Sequence, residues 1–387
     1  MKVAIITSGL LPVPAINGGA IETLLQNFIE QNEFEKKINM DIYTINSWKI
    51  NKKLLKENSK NVNYIYINQL GNFVVKVINK LFKKNIPINY YYQKKVIKIL
   101  NKVDCDYIIT ENYPELVLRL KSNKVIPYIH SDILNVDIDH AQMILNKSFK
   151  VIAVSDFIKE RVKEIDITQE NKIYTVYNSI DFKDVNEKEY NIYREKYRDK
   201  YGVGENEIVF AYSGRISEEK GVLELVRAFK KANIPDSKLL IIGGIWYHCN
   251  KTNEYLESIK REFDDKVILT GYINHKEVDK LLCAIDIGVV PSICNEAAGL
   301  SVVEFMARKN IVVASDKGGI KEYLNSKDNF LVEASKKEEF EEKLKDKLIA
   351  ASKVVNDRER RIKNKEYSIK FNVKNNYNNI IRVLERD

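Results

Sequence analysis

The sequence predicts an α/β protein of two doubly wound, Rossmann-like domains that face a central cleft. Short β-branched runs alternate with stretches whose apolar residues recur at helical spacing, which is typical of parallel sheets covered by helices. A charged segment at residues 183–206 interrupts this alternation once, and the alternation then starts again. The length of 387 residues exceeds what one hydrophobic core usually holds and suits two domains of about 150–200 residues.

The first domain is predicted at residues 1–183, and a C-terminal helix at 366–387 is expected to join it. Helical patterns, such as those at 19–32 and 156–163, separate its strands. Seven strands are predicted, at residues 3–7, 41–45, 62–67, 107–110, 125–130, 151–155 and 174–177.

The second domain is predicted at residues 205–365, after a surface linker at 184–204 whose helix-like part, 187–200, is almost wholly polar. Because ligands bind at the carboxyl ends of strands in such sheets, the cleft between the domains is the expected site. Six strands are predicted, at 208–214, 239–244, 267–271, 287–291, 311–315 and 330–332, with helices at 222–232, 254–263, 276–284, 301–308 and 338–350.

Composition narrows the class of protein. The chain is 44% hydrophobic and 30% charged, as in ordinary soluble globular proteins. Four scattered cysteines form no C-x-x-C pair, which argues against a disulfide or metal framework and favours a reducing compartment. There is no run of 18 apolar residues, and the apolar N-terminus is interpreted as a buried strand rather than a signal peptide. These cysteines are Cys105, Cys249, Cys283 and Cys294.

The loop after strand 208–214 is a candidate anion site. Gly214 ends the strand, and Arg215 and Lys220 follow before the next helix begins. Free N–H groups and the dipole at a helix start favour an anion, and Arg and Lys suit phosphate. Alternatively, both cations are solvated charges beside Glu218 and Glu219.

Two carboxylates, Glu296 and Glu304, stand eight residues apart after strand 287–291. Carboxylates accept hydrogen bonds from sugar and ribose hydroxyls, and small residues allow a ligand to approach the backbone. A helix start between them offers free N–H groups. A capping box with Ser301 is the alternative for Glu304, but it leaves Glu296 unexplained. The small residues are Ala298 and Gly299, and the helix start is at Leu300 and Ser301.

This pair resembles the E-x7-E signature of retaining glycosyltransferases of family four, which have the GT-B fold. The resemblance extends over essentially the whole chain, although Ala297 and Phe305 differ from the residues common in the family. Similar segments are Asn17-Gly18-Gly19-Ala20, Ala153–Asp156, Tyr177–Asp181, Ser213-Gly214-Arg215, Lys220-Gly221, Leu239–Gly244, Thr270-Gly271-Tyr272 and Ser315–Glu322.

The resemblance implies a nucleotide-sugar donor, with a UDP-linked hexose or N-acetylhexosamine expected, and retention of anomeric configuration. Arg215 and Lys220 would hold the diphosphate, Glu304 the ribose, and Glu296 the hydroxyls of the transferred sugar. Backbone groups complete the implied donor site: the N–H groups of Ala298 and Gly299 at the sugar, those of Leu300 and Ser301 at the distal phosphate, and the main chain of Tyr272 and Ile273 at the base.

Two features of the first half are weaker signals. The Gly18-Gly19 pair opens a helix, and His130 ends strand 125–130 at the expected cleft. Taken alone, the glycines are weak evidence for phosphate, and a lone His is more often structural. The resemblance implies that the glycine loop closes over the distal phosphate and sugar, and that His130 contacts the donor sugar. The D-x-D patterns at 104–106 and 137–139 are interpreted as coincidence, so neither a metal nor another cofactor is expected.

The first half also carries most of the net charge of +9. Residues 71–102 hold eight lysines and no acidic residue, interleaved with apolar residues at helical spacing, and residues 48–56 form a second such segment. An anionic membrane surface is the favoured partner. One alternative is a core helix whose lysine face is solvated. The other is nucleic-acid binding, although the sequence contains no recognised nucleic-acid-binding module. The lysines are Lys76, Lys80, Lys83, Lys84, Lys94, Lys95, Lys98 and Lys102.

These observations predict a cytoplasmic transferase at the inner face of the cell membrane. Its first domain would bind a sugar acceptor, expected to be linked to a lipid diphosphate, in cell-surface polysaccharide or glycoconjugate synthesis. Two alternatives stay open: a nucleotide-sugar epimerase of the same architecture, and a non-catalytic protein that binds sugar nucleotides.

Overall fold

The computed structural model describes residues 1–50, 60–68, 70–84, 86–181, 183–245, 253–333 and 336–386. Cys249 and most of the second basic segment, from residue 51 onward, lie outside these described residues. The chain divides into unit 1, Met1–Ser179 with Val373–Asp387, and unit 2, Ile180–Asn372. In the described parts, no helix combines the length and apolar character needed to cross a membrane.

Unit 1 is built on seven parallel strands in the order β3-β2-β1-β4-β5-β6-β7. All seven predicted strands overlap these observed ones. Apart from Lys2, the strands Lys2–Ile6 and Val125–Ile129 are fully buried, as continuous apolar runs in parallel sheets usually are. The strands are β1 Lys2–Ile6, β2 Asn39–Ile45, β3 Val62–Ile67, β4 Tyr107–Glu111, β5 Val125–Ile129, β6 Val151–Ala153 and β7 Ile173–Thr175.

The C-terminal helix of the chain packs on the first helix of unit 1. The rings of Phe28 and Tyr377 lie 5.2 Å apart, and the Tyr377 hydroxyl donates to Asn32 Oδ1 at 2.7 Å. The α-helices of unit 1 are α1 Ala20–Glu35, α2 Leu70–Phe82, α3 Tyr90–Leu100, α4 Leu116–Arg119, α5 Ala141–Lys147, α6 Asp156–Lys163 and, from the C-terminus, α15 Val373–Glu385.

Unit 2 has six parallel strands in the order β10-β9-β8-β11-β12-β13. With the sheet of unit 1, this confirms the prediction of two doubly wound α/β domains. The strands are β8 Ile208–Ser213, β9 Ser237–Ile242, β10 Val267–Gly271, β11 Ile287–Val290, β12 Ile311–Ser315 and β13 Phe330–Val332. The helices are α7 Glu187–Lys200, α8 Val222–Ala232, α9 Glu254–Lys260, α10 His275–Leu281, α11 Leu300–Ala307, α12 Ile320–Tyr323, α13 Lys337–Ser352 and α14 Arg358–Ser368.

The segment predicted as a surface linker is instead helix α7 of unit 2. Tyr197 is only 2% exposed, and Arg198 donates from Nη2 to the buried carboxylate of Asp286 at 2.7 Å. The helix therefore has a packed face made of tyrosine rings and a paired arginine. Because these residues count as polar, the sequence pattern did not indicate a buried face. The division between the units also falls at 179/180 and 372/373, rather than at the predicted 183/184 and 365/366.

The strand orders identify where each unit offers a crevice. Order reverses between β1 and β4 in unit 1, and between β8 and β11 in unit 2. Loops on either side of such a switch point diverge at the carboxyl ends of the strands, and ligands bind there in doubly wound sheets. In unit 2 these are the loops that carry Arg215, Lys220 and Glu296.

Candidate functional site

The loop after β8 is held by short hydrogen bonds. The Tyr212 hydroxyl donates to the carbonyl of Arg215 at 2.5 Å. Gly243, after β9, allows the two loops to approach, since a Cβ on it would lie 1.9 Å from the carbonyl oxygen of Gly214. The side chain of Arg215 is 48% exposed and donates to Glu219 Oε1 at 2.7 Å. The loop thus presents a guanidinium that is half in solvent.

Glu219 is a carboxylate that stays ionised although it is partly buried. Burial raises its pKa, but hydrogen bonds from Ser217 and its own backbone, with the charges of Arg215 and Lys220, bring the pKa below the usual range. Its backbone carbonyl also accepts from the N–H of Ile293 at 3.0 Å. Glu219 therefore ties the loop after β8 to the loop after β11.

Lys220 and Glu296 meet at the switch point of unit 2. The Lys220 Nζ lies 2.5 Å from Glu296 Oε1, and the two side chains are 25% and 19% exposed. The Ser292 hydroxyl donates to the same carboxylate oxygen at 2.5 Å. The structure thus brings together a cation and a carboxylate that are 76 positions apart in sequence.

Two glycines allow the loops of Lys220 and Glu296 to pack closely enough for this contact. Gly221 has a φ of +67°, and a Cβ on it would lie 2.0 Å from the carbonyl oxygen of Pro291. Gly318 has a φ of +60°, and its Cβ would lie 2.3 Å from the carbonyl oxygen of Glu296, which also accepts from the N–H of Gly319 at 2.7 Å. Only glycine fits such close backbone contacts, so the loop of Glu296 is fixed on both sides.

Helix α11 begins at Leu300, directly beside this pair. Gly299 precedes it without a side-chain cap, and the first N–H groups of a helix have no intrahelical partner, so those of Leu300 and Ser301 are available to an anion. The capping-box alternative for Glu304 is wrong, because Ser301 lies within the helix rather than before it. Glu304 Oε1 instead lies 3.1 Å from His275 Nε2.

Phe305 differs from the family pattern but lies in the core. It is fully buried, and a Cβ on Gly288 of the adjacent strand β11 would lie 2.1 Å from its ring. A small residue under the ring therefore accommodates the larger side chain. Tyr272 and Ile273, expected at the base, follow β10 and are partly buried.

In unit 1, His130 is buried rather than open to solvent. Its Nε2 lies 2.7 Å from Glu111 Oε2, and the two side chains are 4% and 6% exposed. The Tyr128 ring lies 4.2 Å from the imidazole, centroid to centroid. Within the described residues, Nδ1 has no hydrogen-bond partner. His130 follows β5 and Glu111 ends β4, so the pair lies on neighbouring strands next to the switch point.

Gly18 and Gly19 have φ values of +75° and +101° and lead into α1. A Cβ on Gly19 would lie 2.2 Å from Glu22 Oε2. Burial raises the pKa of Glu22, while hydrogen bonds from its own backbone and from Ser8 oppose that shift. The turn that the resemblance assigns to the distal phosphate and sugar therefore has a carboxyl group beside it, which suits hydroxyls.

The two helices of the basic segment differ. On α2, Val74, Val77, Leu81 and Phe82 are 44%, 39%, 69% and 67% exposed; the side chains of Phe73 and Lys76 lie outside the described part. On α3 the apolar residues Tyr92, Val96 and Leu100 are buried. The alternative of a core helix with a solvated lysine face therefore describes α3, whereas α2 exposes apolar and basic side chains together.

One carboxylate of each D-x-D pattern has a structural partner. Asp106 accepts from the N–H of Lys2 at 2.7 Å, and Asp137 lies 3.3 Å from Arg161. Across the described ranges, no group of three or more His, Cys, Asp or Glu side chains is arranged to hold a metal ion.

The sequence analysis considered Glu219 only as a neighbour of the two cations, and it did not single out three further residues of these clusters: Glu111, His275 and Ser292. Glu111 has the clearest sequence signal, because it ends a strand that neighbours the strand of His130. His275 and Ser292 follow strand ends as well, but only their contacts with Glu304 and Glu296 distinguish them from other loop residues.

The chain is similar to known proteins in sequence and in fold. Residues 193–368, which lie within unit 2, match the family described as Glycosyl transferases group 1. The lipopolysaccharide 1,2-N-acetylglucosaminetransferase of Salmonella typhimurium is 32% identical over 133 residues, which cover 33% of this chain and 35% of that protein.

Two solved structures share the fold over nearly the whole chain. A glycosyltransferase from Rickettsia africae has a TM-score of 0.76 at 21% identity and covers 99% of this chain and 98% of its own. HepE of Anabaena, solved in complex with UDP-glucose, has a TM-score of 0.67 at 17% identity and covers 99% of each chain. At these identities the likeness shows the fold, and the predicted GT-B class is confirmed.

Proposed function

We propose that this chain, whose unit 2 carries a group 1 glycosyltransferase domain, is a retaining glycosyltransferase of family four. It transfers a hexose or N-acetylhexosamine from a UDP-sugar to a sugar acceptor. The observation that carries the proposal is the meeting of Lys220 and Glu296 at the switch point of unit 2, beside the start of α11. A cation, a carboxylate and free N–H groups in one place match the phosphates and hydroxyls of a nucleotide sugar. The similar fold of HepE, which was solved with UDP-glucose, supports the choice of a uridine nucleotide as the donor.

Each part of the donor has a matching group in unit 2. Arg215 and Lys220 bind the diphosphate, and the N–H groups of Leu300 and Ser301 bind the distal phosphate. The remaining roles are ribose binding by Glu304, sugar-hydroxyl binding by Glu296 with the N–H groups of Ala298 and Gly299, and contact with the base by the main chain of Tyr272 and Ile273.

The proposed catalysis depends on electrostatic stabilisation of the leaving diphosphate. As the bond between sugar and phosphate breaks, negative charge grows on the diphosphate, and fixed cations placed there stabilise the transition state. The acceptor attacks the face that the phosphate vacates, and a phosphate oxygen takes the acceptor's proton. Glu296, engaged by Lys220 and Ser292, orients hydroxyls rather than acting as nucleophile. Because Arg215 and Lys220 supply the positive charge, transfer proceeds in excess EDTA.

Unit 1 supplies the acceptor side. His130 contacts the donor sugar, the turn at Gly18 and Gly19 lies against its hydroxyls and distal phosphate, and helix α2 binds an anionic membrane surface. A lipid-diphosphate-linked acceptor accounts for lysines and apolar residues exposed on the same helix. The enzyme then works in the cytoplasm at the inner face of the membrane, in polysaccharide or glycoconjugate synthesis.

Calorimetry of the full chain with UDP, GDP and ADP tests the donor assignment. The whole chain is needed because a fragment of 205–365 would lack helix α7, which is part of the core of unit 2. We expect UDP to bind best, and Glu304→Ala to weaken UDP binding. Binding of none of the three by the folded wild type would contradict the proposal. Conversion of the donor sugar at C2 without transfer would instead identify an epimerase.

A further inference from the structure

The carboxylate proposed to bind ribose is held by a histidine from another helix. His275 is the first residue of α10, and its Nε2 lies 3.1 Å from Glu304 Oε1. The Glu304 side chain is 21% exposed, whereas the His275 side chain is 72% exposed. The histidine therefore covers one oxygen of the carboxylate from the solvent side.

The position of His275 is set by local structure on both sides. Asn274 caps α10, since its Oδ1 accepts from the N–H of Lys276 at 3.0 Å. One turn later, Asp279 Oδ2 accepts from Arg308 Nη2, just past the end of α11, at 2.7 Å. Helix α10 is thus joined to α11 at two points, and the contact between His275 and Glu304 is one of them.

We infer that His275 is a positioning residue for the donor nucleotide: it holds Oε1 of Glu304, so that Oε2 is left to accept hydrogen bonds from the ribose hydroxyls. This inference rests on the proposed function, because it takes Glu304 as the ribose-binding residue. A carboxylate with one oxygen already fixed loses less freedom when ribose binds, which favours affinity.

The charges around the imidazole make this contact sensitive to pH. Glu304 faces His275 from α11, Asp279 lies on its own helix with Arg308 beyond it, and Asp181 precedes α7. Chiefly through its hydrogen bond and charge, Glu304 raises the pKa of His275 above the ordinary value of 6.5, and burial opposes this. The ion pair is therefore present below the raised pKa and is lost as pH rises through it.

Three variants separate the possible roles. His275→Ala removes both the hydrogen bond and the charge. His275→Gln places an uncharged amide near the position of Nε2, so it keeps the hydrogen bond and loses the titration. Lys276→Gln is the matched control, because it removes a cation from the neighbouring exposed position without touching Glu304.

The measurement is the calorimetric Kd of UDP, GDP and ADP for each full-length variant at about pH 6 and about pH 8, with KM and kcat for the corresponding nucleotide sugar. At the lower pH we expect His275→Ala to weaken binding by roughly threefold, as for a partly exposed pair. KM should rise by a similar factor while kcat stays unchanged. The advantage of wild type over His275→Ala should shrink as the pH rises, because deprotonation of His275 removes its charge, whereas His275→Gln should lack this pH dependence.

The outcomes distinguish this inference from the proposed function. If His275→Ala and His275→Gln bind as wild type does while Glu304→Ala binds weakly, His275 has no positioning role and the ribose assignment stands. If Glu304→Ala also binds as wild type does, or if no nucleoside diphosphate binds the wild type, both are overturned. A weakening by Lys276→Gln equal to that of His275→Ala would show a general effect of charge and would contradict the inference.

Discussion

Lys220 is the residue on which the proposed chemistry depends most. It shares Glu296 with Ser292, and both of its expected roles, binding the diphosphate and stabilising the departing charge, need its ammonium group in place. We predict that Lys220→Ala lowers kcat/KM. The loss of transition-state stabilisation calculated from that ratio should be about 2–4 kcal/mol, as for the loss of one preorganised charge-stabilising donor. Steady-state kinetics with the preferred nucleotide sugar measures this.

The matched control for this variant is Lys260→Ala, which removes another paired lysine of unit 2. Its Nζ lies 2.9 Å from Glu257 on the surface of α9, and an exposed pair of this kind contributes little. Its kinetics should equal those of wild type. Near-wild-type turnover by Lys220→Ala would remove the phosphate assignment.

Glu22 offers a test of stability at the residue scale. Its pKa is raised, chiefly by burial, so the folded state binds more protons and stability falls as pH rises through the carboxyl range. We predict that Glu22→Gln is more stable than wild type at neutral pH, and that this difference disappears below the ordinary pKa of 4.5. Thermal unfolding across pH measures both.

Glu30→Gln is the control for that experiment, since Glu30 is an exposed residue of the same helix. It should unfold as wild type does at every pH. A Glu22→Gln protein that is less stable than wild type at neutral pH would show that the ionised carboxyl group is stabilising where it lies.

Sequence reasoning singled out some of the residues that the structure brings together and missed others, for a physical reason. Arg215, Lys220 and Glu296 could be found because they follow strands, and the carboxyl ends of parallel strands meet at one edge. Ser292 and His275 could not, because their roles depend on which side chain each one contacts. Such contacts are set by the packing of loops and helices, not by local pattern.

At the scale of elements, the strands were predictable and one helix was not. Buried parallel strands are continuous apolar, often β-branched runs, so the thirteen strands of the described ranges were all predicted. Helix α7 was assigned to a linker because its buried face consists of residues such as Tyr190, Tyr197 and Arg198. A search for apolar residues at helical spacing does not detect a buried face made of tyrosine rings and of an arginine paired with a buried carboxylate.

The packing of β11 against α11 can be tested by a double-mutant cycle. Gly288→Ala places a methyl group 2.1 Å from the ring of Phe305, and such overpacking costs about 1–3 kcal/mol. Phe305→Ala alone leaves a cavity that costs about 3–5 kcal/mol. We predict that the double variant loses less stability than the sum of the two, as measured by denaturant unfolding.

The sign of the coupling decides this prediction. If the two losses add, the methyl group and the ring do not compete for the same space. The close approach of the strand and the helix would then not explain why this chain tolerates Phe305.

Helix α2 is predicted to bind vesicles that contain anionic lipid, and to release them as salt rises. Each lysine near such a surface contributes about 1 kcal/mol, and salt screens the attraction. Changing Lys76, Lys80, Lys83 and Lys84 to Gln should weaken vesicle sedimentation and turnover of a lipid-linked acceptor. Hydrolysis of the donor by water should be unchanged, because none of these four lysines is among the residues proposed to bind the donor.

Helix α3 and the residues after it supply a control with the same change in charge. Changing Lys94, Lys95, Lys98 and Lys102 to Gln should weaken sedimentation less, because the apolar residues of α3 are buried and cannot enter a bilayer. If the α2 variant sediments as well as wild type does, its lysines form a solvated face and the membrane assignment is wrong.

At the scale of the whole molecule, the two units divide the proposed work. Unit 2 contains residues 193–368, which match the family, and the side chains proposed to bind the diphosphate and the ribose. Most of the excess positive charge belongs to the first half of the chain, where the acceptor and the membrane are expected. The sequence predicted two units, but it assigned α7 to a linker between them, whereas the structure includes α7 in unit 2.

The central claim, that this chain cleaves a nucleotide sugar with the site around Lys220, is tested most directly by the release of nucleoside diphosphate. The full chain is incubated in excess EDTA with a panel of UDP-, GDP- and ADP-sugars, and the free diphosphate is measured by chromatography. We predict slow release from one UDP-sugar by wild type and by Lys260→Ala, and release reduced toward background by Lys220→Ala. Release from none of the donors, or release that is the same in wild type and Lys220→Ala, would contradict the account.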